Sequence, residues 1–166
     1  MLVLESLHRI RPDEPQTTRT RAFAATATTR LQIHASGEIG SGVLFTGLTP
    51  PDGSDRVLGR DDRSWAYFGA PDAREYALVA RLEGTSVQSS FFYIGSASAY
   101  LLNDDFLRLI GAMELRDQPV VLRLVVNRPN LDNSAAGDNE WVVNVQVTQD
   151  ELPRATFMPR GGDATR

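Results

Sequence analysis

The residues that could do chemistry are few in this chain. His8 and His34 are the only histidines, and cysteine is absent. Without cysteine, thiolate nucleophiles, disulfides and cysteine-ligated zinc or iron–sulfur sites are excluded. A histidine acts as a general base for a nucleophile within hydrogen-bond reach, and no Gly-x-Ser-x-Gly motif marks such a nucleophile. We therefore predict no catalytic residue and no cofactor.

A pair of carboxylates, Asp61 and Asp62, is the remaining feature that could belong to an enzyme, together with His34. Adjacent residues of an extended chain point in opposite directions, so these two carboxylates converge on one site only if the loop bends. Arg60 and Arg63 flank them, and local ion pairing is the simpler interpretation. An enzyme is therefore the weakest of three hypotheses.

Oxygen-bearing side chains are dense between residues 127 and 140, where they are Asn127, Asn130, Asp132, Asn133, Asp138, Asn139 and Glu140. Calcium prefers such ligands, but the spacing differs from the EF-hand loop, and Asn and Asp also form turns. We predict no metal site here. The segment is longer than the two to five residues of most hairpin loops, so it is either a crossover or an extended contact loop. As a contact loop, its candidate interaction residues are Asn130, Asp132, Asn133, Asp138 and Asn139.

Two aromatic residues, Trp65 and Tyr67, are candidate ligand contacts in a short aromatic run. With the 127–140 loop they support a second hypothesis, a β-sandwich module that binds a carbohydrate or small molecule, with calcium assisting. Aromatic residues do not alternate with a basic stripe, and the net charge is −4. Stacking on single-stranded nucleic acid and general attraction to an anionic surface are therefore not favoured.

The apolar residues alternate in the pattern of half-buried strands. Val120, Leu122, Leu124 and Val126 share one face of a first run, and Trp141, Val143, Val145 and Val147 share one face of a second. These runs are the strongest structural signal, and we expect them to pair within the core. Residues 21–34 show the same alternation and predict one long strand or two joined at a bulge.

Three further elements follow from local patterns. Residues 75–82 and 86–94 predict a hairpin that turns at Glu83 and Gly84. Residues 103–114 predict the one helix: Asn103 can cap it, and apolar residues recur at helical spacing. Residues 2–10 predict a short strand ahead of a linker with two prolines, an arm that packs on its own domain or reaches a neighbouring subunit.

These elements predict a mainly β fold, a single-domain antiparallel β-sandwich or partly closed barrel with one short α-helix. We divide the chain into an N-terminal arm and linker (1–18), a β-rich domain (19–158) and a flexible C-terminal tail (159–166). The first eleven residues lack the apolar core of a signal peptide, and no apolar run reaches membrane-spanning length. We expect a soluble protein that is made in the cytosol and has no membrane partner.

The favoured hypothesis is a non-enzymatic assembly module. The arm, the long loops and the short tail are features that neighbouring subunits can order, and no coherent catalytic set competes with them. The protein would be an oligomeric structural subunit of a larger particle, such as a virion or a phage-tail-like assembly. Its partners would be copies of itself or neighbouring subunits.

Overall fold

A computed structural model describes residues 1–11, 18–40, 48–54, 73–127 and 139–150. Several predicted features lie outside these ranges, namely Asp61, Asp62, Trp65, Tyr67, most of the 127–140 loop and the 159–166 tail. The described part is mainly β, with antiparallel strands and one short helix, which confirms the predicted fold class. It takes the form of a sandwich, and its two main sheets do not close into a barrel.

Eleven strands occur in the described ranges, and five of them are two residues long. They are β1 (Leu2–Ile10), β2 (Thr18–Arg19), β3 (Phe23–Ala24), β4 (Thr29–Gly37), β5 (Ile39–Gly40), β6 (Leu48–Thr49), β7 (Leu78–Glu83), β8 (Phe92–Tyr93), β9 (Ala97–Leu101), β10 (Pro119–Val126) and β11 (Trp141–Gln149). Sheet A has the order β1–β11–β4–β9. Sheet B has the order β2–β10–β7–β8, with β3 also paired to β10, while β5 and β6 form a separate pair.

The core lies between the two sheets, and the predicted inward faces line it. The alternating apolar residues of β10 and β11 are buried, and Trp141 and the three inward valines of β11 are fully so. The same cluster takes in Tyr76, Leu78, Ala80 and Leu82 from the first strand of the predicted hairpin. That hairpin forms, because Val79 pairs with Tyr93 and Ala80 with Phe92.

The expected pairing of β10 with β11 is wrong. β10 pairs with β2, β3 and β7 in sheet B, whereas β11 pairs with β1 and β4 in sheet A. The two strands thus face each other across the core from opposite layers. Alternation predicted that both strands have a buried face, but two strands that share a core need not share a sheet. The segment between them connects the sheets and is not a hairpin tip.

Residues 21–34 also divide between the layers, as β3 in sheet B and β4 in sheet A. Thr29 is a polar residue that is fully buried at this corner. Its hydroxyl donates to the carbonyl of Ala24 at 2.8 Å and accepts from the amide of Thr26 and from Gln149 Nε2, both at 3.0 Å. Of the two predicted alternatives, the structure has two strands, and a bent connection that includes the hydrogen-bonded Thr29 joins them in place of a bulge.

The helix, α1, spans Asp104–Leu109, with a 3₁₀ turn at Met113–Leu115. Asn103 caps it as predicted, accepting a 2.9 Å hydrogen bond from the amide of Phe106. Phe106 packs with Phe92 and Tyr100, so α1 is attached to both β8 and β9. Among the described residues, no helix has the length and apolarity that crossing a membrane requires.

Candidate interaction site

The N-terminal strand β1 is an edge strand of sheet A. It pairs antiparallel with β11 from Leu2 to Ile10, with a bulge between Leu2 and Leu4. The predicted arm therefore packs on its own domain. No strand in the described ranges pairs with the other side of β1. A strand with one unpaired side presents backbone N–H and C=O groups that can pair with another chain.

Apolar side chains are exposed along this strand, which we call the β1 edge (Leu2–Ile10). Leu7 is 61% exposed, Leu2 52% and Val3 40%. Leu7 lies between Glu5 and Arg9 on the outer face of the sheet, while Leu4 and Ile10 point into the core. Exposed leucine on an otherwise polar strand face increases the apolar surface that association can bury.

Charged side chains lie on the same outer face. Glu140, just before β11, accepts hydrogen bonds from Arg9 Nη1 and from Arg11 Nε, the second at 3.3 Å. The hydrogen bond from Arg9 is the main reason that the pKa of Glu140 lies below its ordinary value. Glu5 accepts from Gln146 Nε2 at 2.8 Å. Two guanidinium groups thus share one carboxylate at one end of the edge, and Glu5 lies toward the other end.

The inner face of the β1 edge contains a polar pair between its two buried ends. His8 Nε2 and Ser6 Oγ are 2.8 Å apart. Burial lowers the pKa of His8 below 6.5, so the imidazole in the folded protein favours its neutral form.

A second charged cluster lies on the outer face of sheet B. Arg19, Arg123 and Arg81 occupy directly opposite positions on β2, β10 and β7. Glu83 accepts from all three, with closest distances of 2.8 Å, 3.2 Å and 2.7 Å respectively. Burial alone would raise the pKa of Glu83, but the three guanidinium groups outweigh it and lower the pKa from 4.5 to about 2. Arg81 also lies over the ring of Phe91 at 4.9 Å.

A third polar cluster joins the loop at Asp52 to the turn between β8 and β9. The Asp52 carboxylate accepts from the amide of Ser96 at 2.8 Å, from its hydroxyl at 2.9 Å and from the Tyr93 hydroxyl at 3.1 Å. The amide donor is the largest cause of a lowered pKa for Asp52. A Cβ at Gly95 would lie 2.4 Å from the Tyr93 hydroxyl, so glycine permits this close approach. The cluster closes a turn, and both oxygens of the Asp52 carboxylate accept hydrogen bonds within it.

His34 lies exposed on the outer face of sheet A. Its cross-strand neighbours are Asn144 on β11 and Ala97 on β9, and neither can act as an acid or a nucleophile with it. The described ranges contain no group of three or more His, Cys, Asp or Glu side chains that could hold a metal ion. The structure therefore assembles no catalytic set around this histidine within the ranges described.

The predicted interaction loop is described only at its end. Asn139 is exposed, whereas Asn130, Asp132, Asn133 and Asp138 lie outside the described residues. Asn127, at the start of the loop, is fully buried and donates from Nδ2 to the carbonyl of Arg74 at 3.0 Å. The candidate ligand contacts Trp65 and Tyr67 also lie outside the described residues.

Sequence reasoning did not single out the β1 edge or its exposed Leu7, although it allowed residues 2–10 to reach a neighbouring subunit. One signal was present: Leu7 falls on the face of β1 opposite to that of Leu4 and Ile10, between two charged residues. The contact of Glu83 with Arg81 is local, because the two residues share a face of β7 two positions apart. Arg19 and Arg123 are distant in sequence and meet Glu83 only through strand register, so those contacts had no local signal.

Comparisons with protein-family models, with curated proteins and with solved structures found no match to this chain. The geometry of the described residues is therefore what supports a function.

Proposed function

We propose that this protein is a non-enzymatic assembly module that binds neighbouring protein subunits through the β1 edge. The observation that carries the proposal is the 61% exposure of Leu7 on a strand whose second side has no partner in the described ranges. Strand edges in natural proteins are commonly protected by proline, by charged side chains, by β-bulges or by inward-pointing charges. The bulge of β1 lies at its start, and from Leu4 to Ile10 the strand has no bulge and no proline, while its two charged residues, Glu5 and Arg9, point outward.

Sheet A also has a second edge, at β9, whose only strand partner in the described ranges is β4. Two edges on one sheet are compatible with repeated contacts between subunits. We extend the proposal on this basis to a structural role in a larger particle, such as a virion or a phage-tail-like assembly.

Light scattering coupled to size-exclusion chromatography tests the assembly role. We expect wild-type protein, loaded from about 10 μM to about 500 μM, to shift from the monomer mass of 18.3 kDa toward a multiple of it. The Leu7→Ser variant should shift this transition to at least about tenfold higher concentration, because it removes exposed apolar surface from the edge. A wild-type chain that stays monomeric over the whole range would contradict the proposal.

The matched control is Leu109→Ser. Leu109 is 80% exposed at the end of α1, so the same substitution removes a similar exposed side chain away from the β1 edge. We expect this variant to assemble as the wild type does. Equal weakening by both substitutions would indicate nonspecific apolar association and not a site at the β1 edge.

A further inference from the structure

We infer that the partner of the β1 edge is a second copy of the same edge, paired antiparallel about a two-fold axis at Leu7. This inference rests on the proposed assembly function and adds the identity of the partner, its symmetry and its register. The result would be a sheet that continues from one subunit into the other, with eight strands from the two copies of sheet A.

Symmetry limits the registers that are available. A two-fold axis perpendicular to the sheet keeps the inner faces of both copies on one side, so inward residues must meet inward residues. Residue numbers of opposed positions must then add up to an even number. Axes at Ser6, Leu7 or His8 meet this condition near the middle of the strand.

The axis at Leu7 gives the most complementary pairs. On the inner face Leu4 opposes Ile10 and Ser6 opposes His8, while on the outer face Glu5 opposes Arg9 and Leu7 opposes its own copy. Each hetero-pair occurs twice by symmetry, so the interface has two opposite-charge pairs and two apolar inner pairs. Directly opposed pairs of these kinds stabilise an antiparallel ladder.

The neighbouring registers are poorer. An axis at Ser6 places Glu5 opposite Leu7 and Leu4 opposite His8. These positions then form no opposite-charge pair and no apolar inner pair. An axis at His8 opposes the two imidazoles to each other and places Ile10 opposite Ser6. That register also sets Leu7 against Arg9, although Glu5 would then oppose Arg11 beyond the strand end.

The charges of the monomer match the Leu7 register. Arg9 and Arg11 share Glu140 as a carboxylate partner, and the side chain of Arg9 is 66% exposed. A guanidinium group has five N–H donors, so Arg9 can retain Glu140 and also bind Glu5 of a second copy. The hydrogen bond from Gln146 can remain on Glu5 at the same time, because a carboxylate accepts several.

Two charge-reversed chains test the register. The Glu5→Arg chain has arginine at positions 5 and 9, and the Arg9→Glu chain has glutamate at both. In the Leu7 register each chain alone opposes like charges, whereas a mixture restores two opposite-charge pairs in one heterodimer. Sedimentation equilibrium should show at least about tenfold weaker self-association for each chain alone and recovery to within about threefold of wild type for the mixture.

Arg30→Glu is the matched control for charge reversal. Arg30 is on the outer face of sheet A and, like Arg9, pairs with a carboxylate, here Asp150 at 3.4 Å. It lies on β4, two strands from the β1 edge. This variant should self-associate like the wild type, and thermal unfolding of all variants shows whether each remains folded.

Single cysteines test the same register without reversing a charge, because the wild-type chain has no cysteine. Leu7→Cys places two thiols opposite each other on the axis, within reach of a disulfide after small adjustment, so mild oxidation should yield a covalent dimer. Glu5→Cys places the two thiols about 14 Å apart along the strands, so it should yield little dimer.

Three outcomes distinguish failure of the Leu7 register from failure of the proposed assembly role. Recovery in the charge-reversed mixture and selective crosslinking at position 7 would establish the register. Unchanged self-association in every variant, or equal crosslinking at positions 5 and 7, would overturn the register and leave assembly standing. A wild-type chain that stays monomeric would overturn both.

Discussion

At the scale of the residue, the Glu83 side chain contacts arginines that lie far from it in the sequence. It lies at the end of β7, where the local pattern predicted only a turn, and its carboxylate pairs with a row of three arginines. Like charges directly opposite each other on neighbouring strands destabilise a sheet, and a shared carboxylate offsets that repulsion. The row is tolerated because Glu83 is there.

Replacing this carboxylate should be costly. We expect Glu83→Gln to lower the free energy of unfolding at pH 7 by about 2 kcal/mol, because Arg81 and Arg123 are largely buried and would lose their shared counterion. Urea unfolding measures this change. Glu114→Gln, at an exposed carboxylate within the 3₁₀ turn, is the control and should change stability little.

The pH dependence gives an independent check on the same residue. The folded-state pKa of about 2 lies below the ordinary value of 4.5, so the contribution of Glu83 is present above pH 4.5 and is lost as the pH falls toward 2. The difference in stability between wild type and Glu83→Gln should shrink over this interval. A difference that stays constant from pH 6 to the acid limit would contradict the assignment of the arginine row as its cause.

At the scale of the element, two glycines with positive φ end a strand and a helix. Gly37 ends β4 with φ +95°, and a Cβ there would lie 2.4 Å from the carbonyl oxygen of Glu140. Gly111 follows α1 with φ +66°, and a Cβ there would meet nothing within 4 Å. At the helix end, the amide of Gly111 donates to Arg108 and that of Ala112 to Leu107, the two hydrogen bonds of a Schellman motif.

Alanine substitution at these two positions distinguishes the cost of an unfavourable φ from the cost of a steric clash. We expect Gly37→Ala to cost about 3 kcal/mol, since it adds a clash with backbone to an unfavourable φ. Gly111→Ala should cost about 1 kcal/mol, from the unfavourable φ alone. Chemical denaturation measures both, and equal costs would show that the approach of β4 to the start of β11 does not require glycine.

The elements that the sequence predicted correctly are those that depend on contacts between residues close together in the chain. The cap at Asn103 was identified correctly because capping joins residues three apart, and Phe106 does donate to it. For residues 21–34 the two-strand alternative is correct, but the strands lie in different sheets, so a corner and not a bulge joins them. The corner at Thr29 depends on Gln149, more than a hundred residues away, and no local pattern contains that contact.

At the scale of the whole molecule, Trp141 connects sheet A to the separate β5–β6 pair. Its side chain is fully buried, and Nε1 donates to the carbonyl of Thr49 on β6 at 3.1 Å. In the register of sheet A it lies between Ile10 of β1 and Gly37 of β4. One residue therefore holds the β1 edge strand, the end of β4 and the outlying pair together.

Trp141→Phe should lower the free energy of unfolding by about 2 kcal/mol, because it removes the hydrogen bond from Nε1 to the Thr49 carbonyl and opens a small cavity. Relative to wild type, hydrogen exchange in the Trp141→Phe variant should accelerate more at amides around β6 than at other amides. Val145→Ala, which shortens a fully buried side chain on the same face of β11, is the control and should not accelerate exchange selectively at β6. Uniform acceleration in both variants would contradict the connecting role of Trp141.

Local patterns in the sequence were enough to predict the fold class, the buried faces of β10 and β11, and the capped start of α1. All of these depend on alternation or spacing within about ten residues, where backbone geometry fixes which side chains share a face. The folded structure was needed to show that β10 and β11 lie in opposite sheets, that β1 is an edge strand of the described sheet with Leu7 exposed, and that Arg19 and Arg123 meet Glu83. Alternation is the same whichever strand lies alongside, so partner, register and edge depend on long-range pairing that a local pattern does not encode.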